Sequence, residues 1–120
     1  ENENLEKEAY ATAIPLAETR LEINDQDWRT RAMLATYLAH VGREDDSLKQ
    51  IETALSISNR NPEALLYAAL VFHAVGDEDA TLLSLEEMLV ADETYRNYAA
   101  EEPDLKNLRG NERFDRLINP

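Results

Sequence analysis

The sequence contains an internal repeat of fixed period, because residues 28–61 match residues 62–95 position by position. A fixed period constrains the fold more strongly than any single motif. Eight positions carry identical residues in the two copies. The matched pairs are Ala35 and Ala69, Val41 and Val75, Gly42 and Gly76, Glu44 and Glu78, Asp45 and Asp79, Leu48 and Leu82, Glu52 and Glu86, and Leu55 and Leu89. Most of these side chains are small or apolar, so the repeated feature is a core pattern. It predicts stacked, similar units.

Each copy of the repeat has the pattern of two amphipathic helices. In the first copy, apolar or small residues recur at steps of three and four residues in two groups: Leu34, Ala35, Leu38 and Val41, then Leu48, Ile51, Ala54 and Leu55. Gly42 and Gly76 stand between the two groups, where a left-handed glycine ends a helix at little cost. Acidic residues follow each glycine and suit the positive end of the next helix. We therefore predict one helix-turn-helix per copy.

These residues resemble the tetratricopeptide repeat (TPR), a family built from 34-residue helix-turn-helix units. The first copy matches the family pattern through Leu34, Ala35, Leu38, Gly42, Ser47, Leu48, Ile51 and Ala54; the second matches it through Ala68, Ala69, Phe72, Gly76, Thr81, Leu82, Leu85 and Met88. The resemblance implies an all-α fold, a right-handed α-solenoid of stacked antiparallel helix pairs with a short helical C-terminal cap.

The register of the repeat divides the chain, taken as one domain over residues 1–120, into four parts. They are a partial repeat at 1–27, full repeats at 28–61 and 62–95, and a capping segment at 96–120. In the cap, Pro103 interrupts what would be the first helix of a third unit, and Gly110 separates two short helical stretches. Such a divergent element covers the open apolar end of a stack.

The partial repeat is predicted to be the second helix of an earlier unit. If that helix begins around Thr12, Pro15 falls in its first turn, where proline is tolerated. The stretch from Glu1 to Glu8 is then the frayed remnant of a partner helix. Because the chain opens at Glu1 without Met, we expect a piece of a longer protein whose array continues upstream.

Composition excludes several classes of function. The 25 acidic residues against 12 basic ones give a net charge of −13, which argues against nucleic-acid binding. Cysteine is absent, which excludes disulfides and thiolate metal sites. No apolar run approaches the ~20 residues of a membrane span, so we expect no direct membrane insertion. The expectation is a soluble domain, cytoplasmic or periplasmic, with the compartment undetermined.

The sequence offers little for catalysis. It contains no glycine-rich phosphate loop and no nucleophile-elbow motif. His40 and His73 lie near the ends of equivalent helices, where the favoured interpretation is that each interacts with a helix C-terminal dipole. The acidic turn at Asp77 lacks the central glycine and terminal glutamate of a calcium loop. We expect no enzyme activity, no cofactor and no metal.

A peptide groove is what the resemblance implies for function, because the first helices of TPR units line the concave face of the array. The candidate groove residues are Arg29, Met33, Thr36, His40, Glu63, Leu66, Tyr67, Leu70 and His73. Several are apolar on a face that would otherwise be solvated, and exposed apolar patches typically mark binding sites. The alternative is that some of them, Leu66 and Leu70 first, pack against a neighbouring helix.

The candidate groove also predicts the charge of its partner. Chaperone-binding TPR domains resemble one another in a clamp of Lys, Asn and Arg that grips a C-terminal carboxylate. Here Ala32, Thr36 and Tyr67 stand at the expected clamp positions, and Glu63 and Glu101 add repulsion. Together with the net charge, this composition favours a neutral or basic protein or peptide.

Three functions follow, in order of preference. The first is a non-enzymatic protein-interaction scaffold that belongs to a larger bacterial regulatory protein. The second is a homo-oligomerisation module, in which the apolar edge of one chain docks onto another. The third is a metal-dependent enzyme that uses His40 and His73.

Overall fold

The computed structural model describes the backbone of residues 2–120 and the side chains from Asn4 onward. Its α-helices are α1 (Asn2–Ile23), α2 (Trp28–His40), α3 (Glu44–Ile57), α4 (Pro62–Ala74), α5 (Glu78–Ala91), α6 (Arg96–Glu101) and α7 (Glu112–Ile118). Two 3-10 segments, η1 (Glu93–Tyr95) and η2 (Pro103–Leu108), flank α6. No strand occurs within residues 2–120, which confirms the predicted all-α class.

The helix bounds recur at the same interval as the sequence. Helices α2, α4 and α6 begin at Trp28, Pro62 and Arg96, so successive starts are separated by one repeat period. The same separation holds for α3, α5 and α7, which begin at Glu44, Glu78 and Glu112. It also holds for the ends of α1, α3 and α5 at Ile23, Ile57 and Ala91. The backbone period therefore extends through the C-terminal part of the chain, where few residues match.

Glycine marks the turn inside each unit. Gly42, Gly76 and Gly110 are also spaced by one repeat period, and their φ angles are +86°, +86° and +98°. A Cβ atom built at any of the three would meet no atom within 4 Å. The requirement for glycine is therefore one of backbone conformation, since L side chains rarely adopt this region.

Polar side chains begin most of the helices. Carboxylate or amide oxygens accept the free backbone N–H groups of the first turn, as expected for N-cap residues. The pairs are Asp27 with the N–H of Thr30, Asn61 with that of Glu63, Asp77 with that of Ala80, and Asn111 with that of Phe114. The repeated use of Asp or Asn fixes where these four helices start.

Helices α2–α5 pack in neighbouring pairs around one buried core, and α1 forms a second, smaller core with α2. Helix α2 packs against α3 and α4, and α4 packs against α5. Small residues are fully buried along α2 and α4, at Ala32, Ala35, Ala64, Ala68 and Ala69. Small side chains let helix backbones approach closely, and larger residues of α3 and α5 fill the remaining space. They include Ile51, Leu85 and Met88, all at most 1% exposed.

Helix α1 corrects two predictions. It begins at Asn2, so Pro15 lies in the helix interior and the prediction that it occupies the first turn is wrong. The second prediction made Glu1 to Glu8 the remnant of a separate partner helix. Residues 2–8 belong instead to α1 itself, and Glu1 lies outside the described residues. Ile14 and Leu21 pack against α2, while Pro15 is on the exposed side. Because proline has no N–H, the carbonyl of Ala11 one turn earlier loses its helical partner, and Ala11 lies on an exposed part of the helix.

The C-terminal segment, residues 92–120, keeps the register with shorter helices. Helix α6 ends just before Pro103, and the chain continues as η2 instead of one long helix. Three large side chains, Leu105, Leu108 and Phe114, are buried in the core shared with α2–α5. Arg113 of α7 also pairs with Asp79 at 2.9 Å and Glu86 at 2.8 Å on α5.

Candidate functional site

A charged pair joins the first turns of α2 and α4. Arg29 donates from Nε to Oε2 of Glu63 and from Nη2 to Oε1, both at 3.1 Å. The side chains are 61% and 31% exposed, so the pair lies at the surface. Two predicted groove residues, one from each unit, are thus in direct contact. The pair occupies both carboxylate oxygens of Glu63.

Next to this pair, an open pocket of about 300 Å³ lies between α4 and the start of the C-terminal segment. We call it the tyrosine pocket; its lining residues are Glu63, Leu66, Tyr67, Tyr95 and Tyr98. The ring centroids of Tyr95 and Tyr98 are 5.3 Å apart, and the two planes are inclined by 50°. Three predicted groove residues, Glu63, Leu66 and Tyr67, therefore share one concave surface with two further aromatic rings.

The electrostatics of the tyrosine pocket favour neutral phenols. Burial raises the pKa of Tyr67 above its usual value, and the nearby carboxylate of Glu63 raises it further. The pKa of Tyr95 is raised by the same two causes, in the same order. Both hydroxyl groups consequently keep their protons at neutral pH. The pocket presents uncharged aromatic rings beside a carboxylate.

The two leucines predicted to border the groove have partly structural roles. Leu66 and Leu70 are partly buried and pack against the main core. This is the alternative weighed for them from the sequence. Leu66 nevertheless also lines the tyrosine pocket. Leu66 thus packs against the helix core with part of its side chain and contributes apolar surface to the pocket with the rest.

Met33 lies in a different place from the tyrosine pocket. It borders a second open pocket of about 190 Å³, whose lining comes from α1 and α2 and includes Leu16 and Tyr37. Thr36, another predicted groove residue, is half-buried, and its hydroxyl donates to the carbonyl of Met33 at 2.7 Å. The predicted groove residues of α2 therefore divide between two surfaces.

The two histidines have separate partners. The ring of His40 stacks on Tyr10 of α1, with centroids 4.5 Å apart. Nε2 of His73 lies 2.7 Å from Oδ1 of Asn107 in η2. Among the residues described, no group of three or more His, Asp or Glu side chains is placed to hold a metal ion. The two histidine rings thus contact different elements, α1 for His40 and η2 for His73.

A larger open cleft, of about 650 Å³, lies along the C-terminal segment and is bordered by Arg109, Gly110 and Asp115 among others. Two of its polar side chains, those of Arg109 and Asp115, are engaged within the segment. The Asp115 carboxylate accepts the N–H of Gly110, and Arg109 donates to the carbonyl of Ala100 at 2.9 Å. This cleft is therefore the inner surface of a structured turn.

Sequence reasoning missed Tyr95 and Tyr98. In the register of the repeat they fall at the positions of Asn61 and Ala64, a helix cap and a buried small residue. Neither position predicts a ring that closes a pocket. The available signal was the pair of tyrosines itself, at the start of the third unit.

Comparison of the chain with models of protein families, with curated proteins and with solved structures finds no significant match. Among the helices of residues 2–120, none combines the length and apolar character needed to cross a bilayer.

Proposed function

We propose that the chain is a TPR-like, right-handed α-solenoid and acts as a protein-interaction scaffold. Contacts between equivalent positions of successive units support this architecture. Three side-chain contacts join residues one repeat period apart: Arg29 with Glu63, His73 with Asn107, and Asp79 with Arg113. Such contacts are expected when each unit is laid on the next with a constant displacement.

The observation that carries the binding function is the tyrosine pocket. Tyrosine gives a large, rigid apolar surface with a polar tip, and aromatic residues are enriched at protein interfaces. Tyr98 is 62% exposed, although it is a large aromatic residue. An extended or helical peptide that crosses α4 and α6 would cover these rings and leave Arg29 and Glu63 at its rim.

The charge of the chain defines the class of partner. A net charge of −13 favours a neutral or basic segment and repels acidic tails. Screening over about 8 Å at physiological ionic strength limits this effect to association rate and weak steering. The apolar contact in the pocket must therefore supply most of the affinity.

The test is selection from a random peptide library followed by comparison of two variants. Tyr98→Glu places a charge in the tyrosine pocket, and Val90→Glu places the same charge on α5, where Val90 is 89% exposed. Selected peptides should bind the native chain and the Val90 variant equally, and the Tyr98 variant at least about tenfold more weakly. If circular dichroism shows that all three proteins are folded and the peptides bind them equally, the tyrosine pocket is not the binding site.

A specific observation also favours the second candidate, self-association. Helix α1 carries apolar and threonine side chains at alternating steps of four and three residues on its exposed side: Leu5, Ala9, Thr12, Leu16, Thr19 and Ile23. Both threonine hydroxyls donate to carbonyls of their own helix, at Glu8 and Pro15. Covering this stripe would leave no hydroxyl unsatisfied. Spacing of this kind is typical of a helix-helix seam.

The stripe is self-complementary between two antiparallel copies. If the two helices cross at residue 14, Leu5 faces Ile23 of the second copy and Leu16 faces Thr12 of the second copy, because the numbers in each pair are centred on that residue. A C2 dimer of this type has one patch on both subunits. Sedimentation equilibrium should show concentration-dependent dimers that Leu16→Glu abolishes. A monomer at every concentration would exclude this candidate.

A further inference from the structure

We propose that the tyrosine pocket binds a weakly hydrated cationic side chain of the partner, either the guanidinium of arginine or the ammonium of a methylated lysine. This inference rests on the proposed peptide-binding function and specifies the group that the peptide inserts. The shared chemistry is a weakly hydrated organic cation, which arginine and methylated lysine can both supply.

Three phenol rings border the pocket from two parts of the fold. Tyr67 comes from α4, whereas Tyr95 and Tyr98 come from η1 and α6. The 50° inclination between Tyr95 and Tyr98 makes the rings border a corner instead of forming a flat stack. Aromatic faces carry negative electrostatic potential, and several rings around one site attract an organic cation.

The charges around the pocket select among cations. Both carboxylate oxygens of Glu63 accept hydrogen bonds from Arg29, whose positive charge offsets that of the carboxylate, so Glu63 compensates a primary ammonium only weakly for its lost water shell. Glu102 adds negative potential at Tyr67, whereas Arg29 opposes it. A delocalised or methylated cation loses less hydration on entering such a site. The pocket therefore favours arginine and methylated lysine over unmodified lysine.

The dimensions fit one side chain. The pocket measures about 300 Å³ and opens to solvent. Its open side leaves the peptide backbone outside, across α4 and α6. Leu66 lines the same pocket and can contact the methylene stem of the inserted residue.

The primary test uses four capped alanine pentapeptides whose central residue is arginine, citrulline, trimethyllysine or lysine. Binding is followed by NMR through the tyrosine ring signals of the native chain. Citrulline has nearly the shape of arginine without its charge. We expect arginine to bind about 2- to 5-fold more tightly than citrulline, and trimethyllysine more tightly than lysine by a similar factor. Preference for only one of the two cations would identify the source.

Variants locate the effect in the pocket. Tyr98 is exposed, so Tyr98→Leu should leave the fold intact and reduce arginine binding about 2- to 5-fold. Tyr98→Phe keeps the aromatic face and should retain the preference for arginine over citrulline that Tyr98→Leu loses. Arg29→Ala frees the Glu63 carboxylate and should strengthen binding of every cationic peptide. Citrulline binding should not respond to Arg29→Ala.

Failure of this inference can be told from failure of the proposed function. If arginine and citrulline bind equally, or if Tyr98→Leu leaves the preference unchanged, the cation-binding role is overturned while peptide binding stands. If library peptides bind a surface insensitive to Tyr98→Glu, the proposed groove itself is wrong. If trimethyllysine binds no better than lysine while arginine still exceeds citrulline, the guanidinium is the ligand.

Discussion

Helices α4 and α5 and the C-terminal segment follow the same repeat register, but they are held in place differently. In α4 and α5, many residues are buried along two full helices. The C-terminal segment depends on fewer buried side chains and on Arg113, which reaches two carboxylates of α5. The register is thus independent of helix length. Turn glycines and helix caps set the spacing, and burial determines how much helix forms.

The largest expected effect comes from the main anchor of the C-terminal segment. Phe114 is 1% exposed, and Phe114→Ala should cost about 3–5 kcal/mol because it leaves a large cavity. Urea denaturation measures the loss. The half-buried Leu117 of the same helix provides the control, and Leu117→Ala should cost less. Similar small losses for both variants would mean that the segment is not anchored by Phe114.

The same substitution in each region sharpens the comparison. Leu65 of α4 and Leu105 of η2 are both fully buried, and each change to alanine should cost about 2–5 kcal/mol. The two variants should differ in spectroscopy. Leu105→Ala should perturb the NMR signals of Tyr95 and Tyr98 before global unfolding, whereas Leu65→Ala should lower the whole transition. Identical behaviour would show that the two regions unfold as one unit.

The turns should respond alike in both regions. Gly76→Ala and Gly110→Ala each force an alanine into the left-handed region, with φ angles of +86° and +98°. We expect each to lower the free energy of unfolding by about 1–2 kcal/mol. Space is available at both positions, so the loss is conformational. If Gly110→Ala leaves the free energy of unfolding unchanged while Gly76→Ala lowers it, the turn at Gly110 does not require the left-handed conformation found at Gly76.

The smallest effect is expected at the ion pairs that link the two regions. Hydrogen bonds from Arg113 lower the pKa of Glu86 below its ordinary value of 4.5. A carboxylate whose pKa is lowered in the folded state contributes its full stability above the ordinary pKa of the unfolded chain. That contribution is lost as the pH falls through the folded-state pKa. Arg113→Met should therefore destabilise the chain slightly at pH 7, and the difference from the native chain should shrink as the pH falls through the folded-state pKa of Glu86.

The urea midpoints of the two proteins, measured across this pH range, provide the check. Because the pairs are partly exposed, the difference at pH 7 should remain below that at Gly110. A constant difference at every pH would mean that Arg113 contributes through packing of its aliphatic stem and not through its charge.

Much of the fold could be predicted because its determinants are local and repeated. Gly42, Gly76 and the spacing of apolar residues indicate the turns and the helix pairs. The start of α1 could not be predicted in the same way. Residues 2–11 contain neither glycine nor proline, and the hydroxyl of Thr12 donates to the carbonyl of Glu8 within the helix instead of capping a new one. The helix therefore continues past the position at which later units turn.

The candidate site was predictable only in part. Tyr67 and Leu66 were found because their positions on a first helix are fixed by the register. Tyr95 and Tyr98 were missed because α6 was interpreted as an interrupted helix, and a pocket wall depends on how a short segment folds back. Met33 was assigned to the groove from helix position, although side chains of one helix can border two different surfaces.

The construction of the tyrosine pocket links binding to cooperativity. One wall belongs to α4, and the other belongs to the C-terminal segment, which we expect to open locally while α2–α5 remain assembled. Each local opening of that segment would dismantle the pocket without global unfolding. A ligand that requires both walls would suppress these openings, so occupancy should be visible as slower amide exchange across the last helices.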